Sequence, residues 1–213
     1  MTDNFELLLA SIRTCRICRD RPAGKPLPHE PRPVLQAGGA ARILIAGQAP
    51  GIRVHASGRP FTDPSGERLR DWLGVDAKTF YDISNFAIVP MGFCFPGLTP
   101  AGADLPPRRE CAPVWRTKLL AAMPKMDLVI CLGAHAMRWH MREHFAGSVD
   151  AAVRNWRLSY HLTPRVVPLP HPSWRNNAWL TRNSWFASEL LPVLRHDVAE
   201  LLATPLADAG AKS

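Results

Sequence analysis

The sequence predicts an α/β protein in which a four-stranded parallel sheet is covered on both faces, as a three-layer αβα sandwich. Apolar runs typical of strands buried on both faces alternate along the chain with segments of helical periodicity. Such alternation favours parallel strands joined by helical crossovers. The strands are expected at residues 42–46, 81–89, 127–132 and 165–169.

The helices are predicted from amphipathic spacing and capping residues between those runs. Ser65 is the expected N-cap of the second helix. Pro- and Gly-rich stretches at residues 19–41 and 90–107 are expected to form connecting loops. The expected helices are residues 3–14, 65–73 and about 108–123, one from about residue 134, and about 180–202.

Length and composition indicate one basic domain. The chain has 213 residues, 46% of them hydrophobic, so we expect a single domain at residues 1–202 and a disordered tail at residues 203–213. Lys and Arg total 26 against 18 Asp and Glu, a formal charge of +8. That charge attracts nucleic acid, although a generically basic protein is equally consistent with it. Because no secretory signal or membrane-spanning stretch is evident, we expect a cytoplasmic protein, and a monomer.

Three loops follow the first, third and fourth predicted strands directly. They are Gly47–Gly51, Gly133–His135 and His171–Ser173. Because ligands bind beyond the carboxyl ends of parallel strands, we expect these loops to converge on one site.

The first loop reads Gly47-Gln-Ala-Pro-Gly51. Two glycines and a proline favour a tight turn whose backbone N–H groups can face a ligand. The amide of Gln48 suits a base edge or a water molecule. The segment lacks the spacing of a Walker A or dinucleotide-binding loop. Taken alone, an ordinary strand-to-helix turn explains it equally well.

The fourth strand leads into His171, which lies between two prolines that restrict its backbone. A neutral imidazole N–H aimed at a developing oxyanion stabilises that charge without transferring a proton. A loop histidine that caps a helix is the alternative, and the residue alone does not decide between the two.

Four cysteines form a candidate metal site. Cys15 and Cys18 are a C-x-x-C pair, and Cys94 and Cys111 form a second, wider pair. Four thiolates can hold a 4Fe–4S cluster or a zinc ion, and the spacing does not separate these from unrelated buried thiols. Cys131 lies within a predicted strand and is expected to be a core residue.

The motifs G-Q-A-P-G, G-R-P-F and H-P-S, in this order, resemble the uracil-DNA glycosylase superfamily, and most of all its iron–sulfur branch, family 4. The segments are Gly47–Gly51, Gly58–Phe61 and His171–Ser173. The resemblance extends from about Cys15 to Leu194. It implies the uracil-DNA glycosylase fold and a monofunctional enzyme that hydrolyses the N-glycosidic bond of uracil in DNA, leaving an abasic site.

The resemblance also implies roles for individual residues. Phe61 would stack on the flipped uracil, and His171 would donate a hydrogen bond to the leaving base. The turn residues Gly47, Gln48 and Ala49 would hold that base, and Gln48 would also take part in catalysis by helping to hold the attacking water. The resemblance favours a structural 4Fe–4S cluster over zinc, on the ligands Cys15, Cys18, Cys94 and Cys111.

The sequence departs from the family pattern in two places. Gln48 stands where family 4 has Glu, and Ala49 where the best-known members have a water-positioning Asp. Asp63 is therefore the candidate for orienting water, with an N-cap role as the alternative. The family's base-reading Asn is also missing from residues 88–94, so Asn85 or the backbone of residues 89–92 is expected to read the base.

The remaining expectations concern DNA. In the resemblance, the loop Ser173-Trp174-Arg175 enters the minor groove. Two alternatives remain open: a relative that traps the sugar covalently through His55, and a non-catalytic iron–sulfur protein that binds uracil-containing DNA. The other candidate DNA contacts are Pro50, Gly51, Arg53, His55 and His135.

Overall fold

The computed structural model describes residues 3–204 and contains the predicted four-stranded parallel sheet. The strands are β1 Ile43–Ala46, β2 Phe86–Ile88, β3 Leu128–Leu132 and β4 Arg165–Leu169. Their order in the sheet is β2-β1-β3-β4, so β1 and β3 occupy its centre. This confirms the predicted fold class.

Both faces of the sheet are covered. Every residue of β1, β2 and β3 is buried, although successive side chains point to opposite faces. In register, Ile45 of β1 pairs with Ile88 on one side and Ile130 on the other. The apolar runs in the sequence therefore reflect burial between two helical layers.

The helices are short and surround the sheet. They are α1 Asp3–Arg13, α2 Ile17–Asp20, α3 Ile52–Ser57, α4 Pro64–Leu73, α5 Ala77–Tyr81, α6 Thr117–Ala122, α7 Ala134–Met141, α8 Val149–Arg154, α9 Trp156–Tyr160, α10 Asn177–Arg182 and α11 Leu191–Ala203.

Several predicted boundaries were wrong. The second strand begins at Phe86 rather than residue 81, because Asp76 caps α5 by accepting a hydrogen bond from the Thr79 N–H at 2.7 Å. Asp63, not Ser65, is the N-cap of α4.

The two long predicted helices are each divided. A π-helical segment, Ala112–Arg116, precedes α6, and another, Phe186–Leu190, precedes α11. Pro113 lies in the first segment and Pro192 near the start of α11. A proline has no N–H to donate, which is consistent with an interrupted α-helical pattern at both places.

The carboxyl-terminal part of the chain is helical as far as Ala203, so the structured part extends slightly past residue 202. The predicted tail comprises residues 203–213, of which residues 205–213 lie outside the described residues. Within residues 3–204, no helix is both long enough and apolar enough to cross a membrane.

Candidate active site

A cavity opens beyond the carboxyl ends of β1 and β4 and contains most of the predicted site. Its opposite sides are the turn Gly47–Gly51, directly after β1, and His171, two residues after β4. These two segments are more than a hundred residues apart in sequence. They lie close together because the carboxyl ends of parallel strands are at the same edge of the sheet. The complete lining is Val34, Gly47, Gln48, Ala49, Pro50, Gly51, Val54, Pro60, Phe61, Asp63, Ser65, Ile88, Pro90, Asp104 and His171.

The turn Gly47–Gly51 is fixed by hydrogen bonds on two sides. The carbonyls of Gly47 and Gln48 accept hydrogen bonds from the N–H groups of Met91 and Gly92, at 2.9 and 3.0 Å. The side-chain Nε2 of Gln48 donates to the Leu105 carbonyl at 3.1 Å. Gln48 therefore fastens the loop at residues 97–105 beside the cavity, a structural role that the sequence did not reveal.

Phe61 lines the cavity with its backbone in the left-handed region, at φ 53°. This conformation is uncommon for a bulky residue and persists only when the surroundings impose it. The Phe61 carbonyl accepts hydrogen bonds from the Tyr81 hydroxyl at 2.9 Å and from Arg70 Nη1 at 3.4 Å. Gly66 packs against the same carbonyl, where a Cβ would come within 1.9 Å of the oxygen. The backbone of Phe61 is thus held in place beside the cavity.

His171 is positioned through its backbone. Asn176 Nδ2 donates to the His171 carbonyl at 2.7 Å, and Pro172, which follows it, is buried. Arg68 Nη1 donates to the Ser173 carbonyl at 3.0 Å and thereby ties the loop to α4.

His171 lines the cavity and is exposed to solvent on its open side. Desolvation by the surrounding protein lowers the pKa of His171 below the ordinary histidine value, although Asp63 and Asp104 act in the opposite direction. The lowered pKa favours the neutral form of the ring.

Two carboxylates flank the cavity. Asp63 Oδ1 accepts a hydrogen bond from the Ser65 hydroxyl at 2.6 Å. Asp104 was missed by sequence reasoning because it lies in an irregular loop, yet it is the only acidic residue in residues 90–107. Partial burial raises the pKa of Asp104, against the influence of Arg175 and His171.

Three predicted contacts lie outside this cavity. Asn85 directly precedes β2, at the amino-terminal edge of the sheet, and its Nδ2 donates to the Thr79 carbonyl at 3.3 Å. Because the cavity lies at the opposite edge, this placement does not support base reading by Asn85. His55 packs its ring on His29, with 4.6 Å between ring centroids. His135 is half-buried at the start of α7.

Three of the candidate DNA-facing residues are exposed, namely Arg53, Trp174 and Arg175, whereas Pro50 is buried in the turn. The Trp174 side chain is 70% exposed, which is unusual for so large an apolar group. The guanidinium of Arg175 lies over its ring, 5.2 Å from the centroid. Arg53 is exposed on α3, directly after the turn.

A second cavity brings together the four predicted metal ligands, Cys15, Cys18, Cys94 and Cys111. All four are free thiols, and burial raises the pKa of both Cys94 and Cys111 to about 12. Among residues 3–204, no three His, Cys, Asp or Glu side chains converge closely enough to hold a single metal ion.

Two N–H groups donate to sulfur in this second cavity. Trp115 Nε1 donates to Cys15 Sγ at 3.0 Å, and the Phe93 N–H donates to Cys111 Sγ at 3.3 Å. Such donors stabilise negative charge on sulfur, as cluster-bound thiolates require. Cys131 does not line this cavity and is fully buried in β3.

Comparison with known proteins gives a family match and a structural similarity. The family model described as "Uracil DNA glycosylase superfamily" matches residues 36–195. The chain is also similar to the solution NMR structure of a "putative Uracil DNA glycosylase" from Methanosarcina acetivorans. That similarity has a TM-score of 0.45 and 14% sequence identity, over 76% of this chain and 96% of the other.

Proposed function

The chain belongs to the uracil DNA glycosylase superfamily, and on that premise we propose that it is a monofunctional glycosylase that removes uracil from DNA. The reaction hydrolyses the N-glycosidic bond and leaves an abasic site. One observation carries the proposal: the aromatic ring of Phe61 and the imidazole of His171 line the same cavity, between the loops that follow β1 and β4.

The cavity suits a base that has been rotated out of the duplex. Phe61 offers an aromatic face for stacking, and the turn Gly47–Gly51 brings backbone groups to the base edge. Because Asn85 lies at the other edge of the sheet, the backbone of residues 89–92 is the better candidate for reading the base. Pro90 contributes directly to the cavity wall.

His171 stabilises the leaving base. As the glycosidic bond breaks, negative charge grows on the O2 side of uracil, and a neutral imidazole N–H donates a hydrogen bond to it. The lowered pKa of His171 keeps the ring in this neutral form. Removal of one such preorganised donor commonly costs about 100-fold to 1,000-fold in rate.

Water is the nucleophile in this proposal. None of the described residues that line the cavity is a lysine, so no side chain there is suited to form a Schiff base with the sugar. His55 faces His29 rather than the cavity, which disfavours covalent trapping through that residue. Asp63 and Asp104 are the available carboxylates for orienting water.

DNA would reach the site from the side of Trp174 and Arg175. An exposed aromatic side chain can fill the gap that a flipped base leaves in the duplex. Arg175, Arg53 and the overall charge of +8 would contribute phosphate contacts.

We further propose a 4Fe–4S cluster on Cys15, Cys18, Cys94 and Cys111. The shared cavity and the two N–H donors to sulfur support it. Zinc needs four thiolates that converge on one point, whereas a cluster binds each thiolate at a different iron and so tolerates wider separation. The cluster would have a structural role. It would join the segment before β1, which contains Cys15 and Cys18, to the segments that contain Cys94 and Cys111.

In the decisive experiment, the purified protein is incubated with single- and double-stranded oligonucleotides that contain a single uracil. The products are then treated with alkali, which cleaves the strand at abasic sites. We expect an abasic product without strand cleavage before the alkaline step. A stable protein–DNA adduct would instead indicate covalent trapping, and binding without product would indicate a non-catalytic protein.

A further inference from the structure

We propose that Asp104 is the general base that activates the attacking water, an inference that rests on the proposed glycosylase function. The first motif supplies no carboxylate, since Gln48 and Ala49 occupy its positions. The structure brings Asp104 to the cavity from a separate loop, on the same rim as the turn Gly47–Gly51.

The loop that carries Asp104 is ordered by its own hydrogen bonds. Leu98 and Asp104 form an antiparallel bridge, and the Leu105 N–H donates to the Gly97 carbonyl at 2.9 Å. Gln48 joins the loop to the turn through the Leu105 carbonyl. A Cβ on Gly51 would lie only 3.6 Å from Asp104 Oδ2. The carboxylate therefore lies beside the turn, at the exposed rim of the cavity.

Asp104 is better suited to activate water than Asp63. Asp63 Oδ1 already accepts a short hydrogen bond from Ser65, and the residue occupies the N-cap position of α4. Asp104 lines the cavity and is exposed at its rim. In the proposed binding mode the base occupies the interior and the sugar stays towards the rim, so a rim carboxylate would lie near the water that attacks C1′.

The charges around Asp104 are consistent with a catalytic role. The titratable and charged groups that face it are Asp63, His171 and Arg175. An acid at the mouth of a pocket that receives a polyanion weakens binding by repulsion, so DNA affinity does not explain its presence there. Partial burial raises its pKa, which makes its carboxylate a stronger base than an ordinary aspartate.

The step is balanced without any further reactant. The C1′–N bond breaks, and its electron pair leaves with the base, whose charge His171 stabilises through a hydrogen bond. A lone pair of the water oxygen forms the new bond to C1′. The proton lost by that water passes to the Asp104 carboxylate, which later returns it to solvent. The product is an abasic sugar with a C1′ hydroxyl.

The test compares Asp104→Asn and Asp104→Ala with the wild type in single-turnover assays, with DNA affinity measured separately. We expect both variants to lose at least about 100-fold in rate, the scale of general-base catalysis, without weaker DNA binding. Formate or acetate should restore part of the activity of Asp104→Ala, which loss of a purely structural residue would not allow. Asp71→Asn, on the exposed side of α4, is the matched control and should retain wild-type turnover.

The pH profile provides a second readout. Because the basic form is required, the wild-type rate should fall as pH drops through the raised pKa of Asp104, and this acid limb should be absent from Asp104→Asn. A wild-type rate for Asp104→Asn, or an unchanged acid limb with no rescue of Asp104→Ala, would overturn the assignment. Inactive wild-type protein would instead contradict the proposed glycosylase function itself.

Discussion

At the residue scale, the proposed reaction depends most on His171. Its backbone is fixed by Asn176 and by the buried Pro172, and the residue lines the cavity. Its lowered pKa has burial as the main cause, and a nearby Arg175 adds to it. A fixed, neutral donor needs little reorganisation when charge develops on a leaving base.

We predict that His171→Ala lowers the single-turnover rate by about 100-fold to 1,000-fold, because the leaving base loses its hydrogen-bond donor. DNA affinity, measured by fluorescence anisotropy on the same duplex, should change little. The exposed His196 on α11 provides the control, since His196→Ala removes an imidazole far from this chemistry. Turnover near the wild-type value in His171→Ala would exclude the proposed role.

At the scale of secondary-structure elements, α4 determines the position of Phe61. Gly66, in the first turns of α4, lies directly under the Phe61 carbonyl, and Tyr81 at the end of α5 holds the same oxygen. The strained backbone of Phe61 is therefore imposed by two helices rather than by its own loop.

We predict that Gly66→Ala destabilises the protein and impairs activity. Alanine favours a helix over glycine by about 1 kcal/mol, but its Cβ would come within 1.9 Å of the Phe61 carbonyl oxygen, so backbone must move. Overpacking of this kind costs about 1–3 kcal/mol, which outweighs the helical gain. Urea unfolding and steady-state kinetics measure the two effects.

Gly24→Ala is the matched control, because a Cβ at Gly24 meets no atom within 4 Å. It should unfold at the wild-type urea concentration and retain wild-type kinetics. If Gly66→Ala proved as stable and as active as Gly24→Ala, the position of Phe61 would not depend on this contact.

At the scale of the whole molecule, the four cysteines connect parts of the chain that are distant in sequence. Cys15 and Cys18 precede the sheet, whereas Cys94 and Cys111 enclose the loop that carries Asp104. A cluster at this point would therefore hold the amino-terminal segment and brace the loop of the proposed general base.

We predict that the purified protein is brown and contains about four iron atoms and matching acid-labile sulfide per chain. Cys94→Ser should lose the iron and unfold at lower temperature. Cys131→Ala should retain the iron, because that thiol lies in β3 and away from the second cavity. A colourless protein that contains zinc would refute the cluster and leave the proposed reaction untouched.

The sequence was sufficient to predict the sheet and most of the cavity. Buried strands have a distinctive apolar composition, and a turn that directly follows such a strand must lie at its carboxyl end. For that reason the sequence alone assigns Gly47–Gly51 and His171 to the carboxyl-terminal edge of the sheet. In the structure, Phe61 and Asp63 line the same cavity.

Other features depended on the tertiary structure, because they arise between segments with no local signal. Asp104 lies in an irregular loop whose path is set by contacts with Gln48, and no periodicity predicts such a path. Asn85 is close in sequence to the segment where the family's Asn is missing. It nevertheless lies at the amino-terminal end of β2, whereas the cavity lies beyond the carboxyl ends of the strands. Sequence thus revealed the residues at strand ends, and packing revealed which loop supplies the second carboxylate.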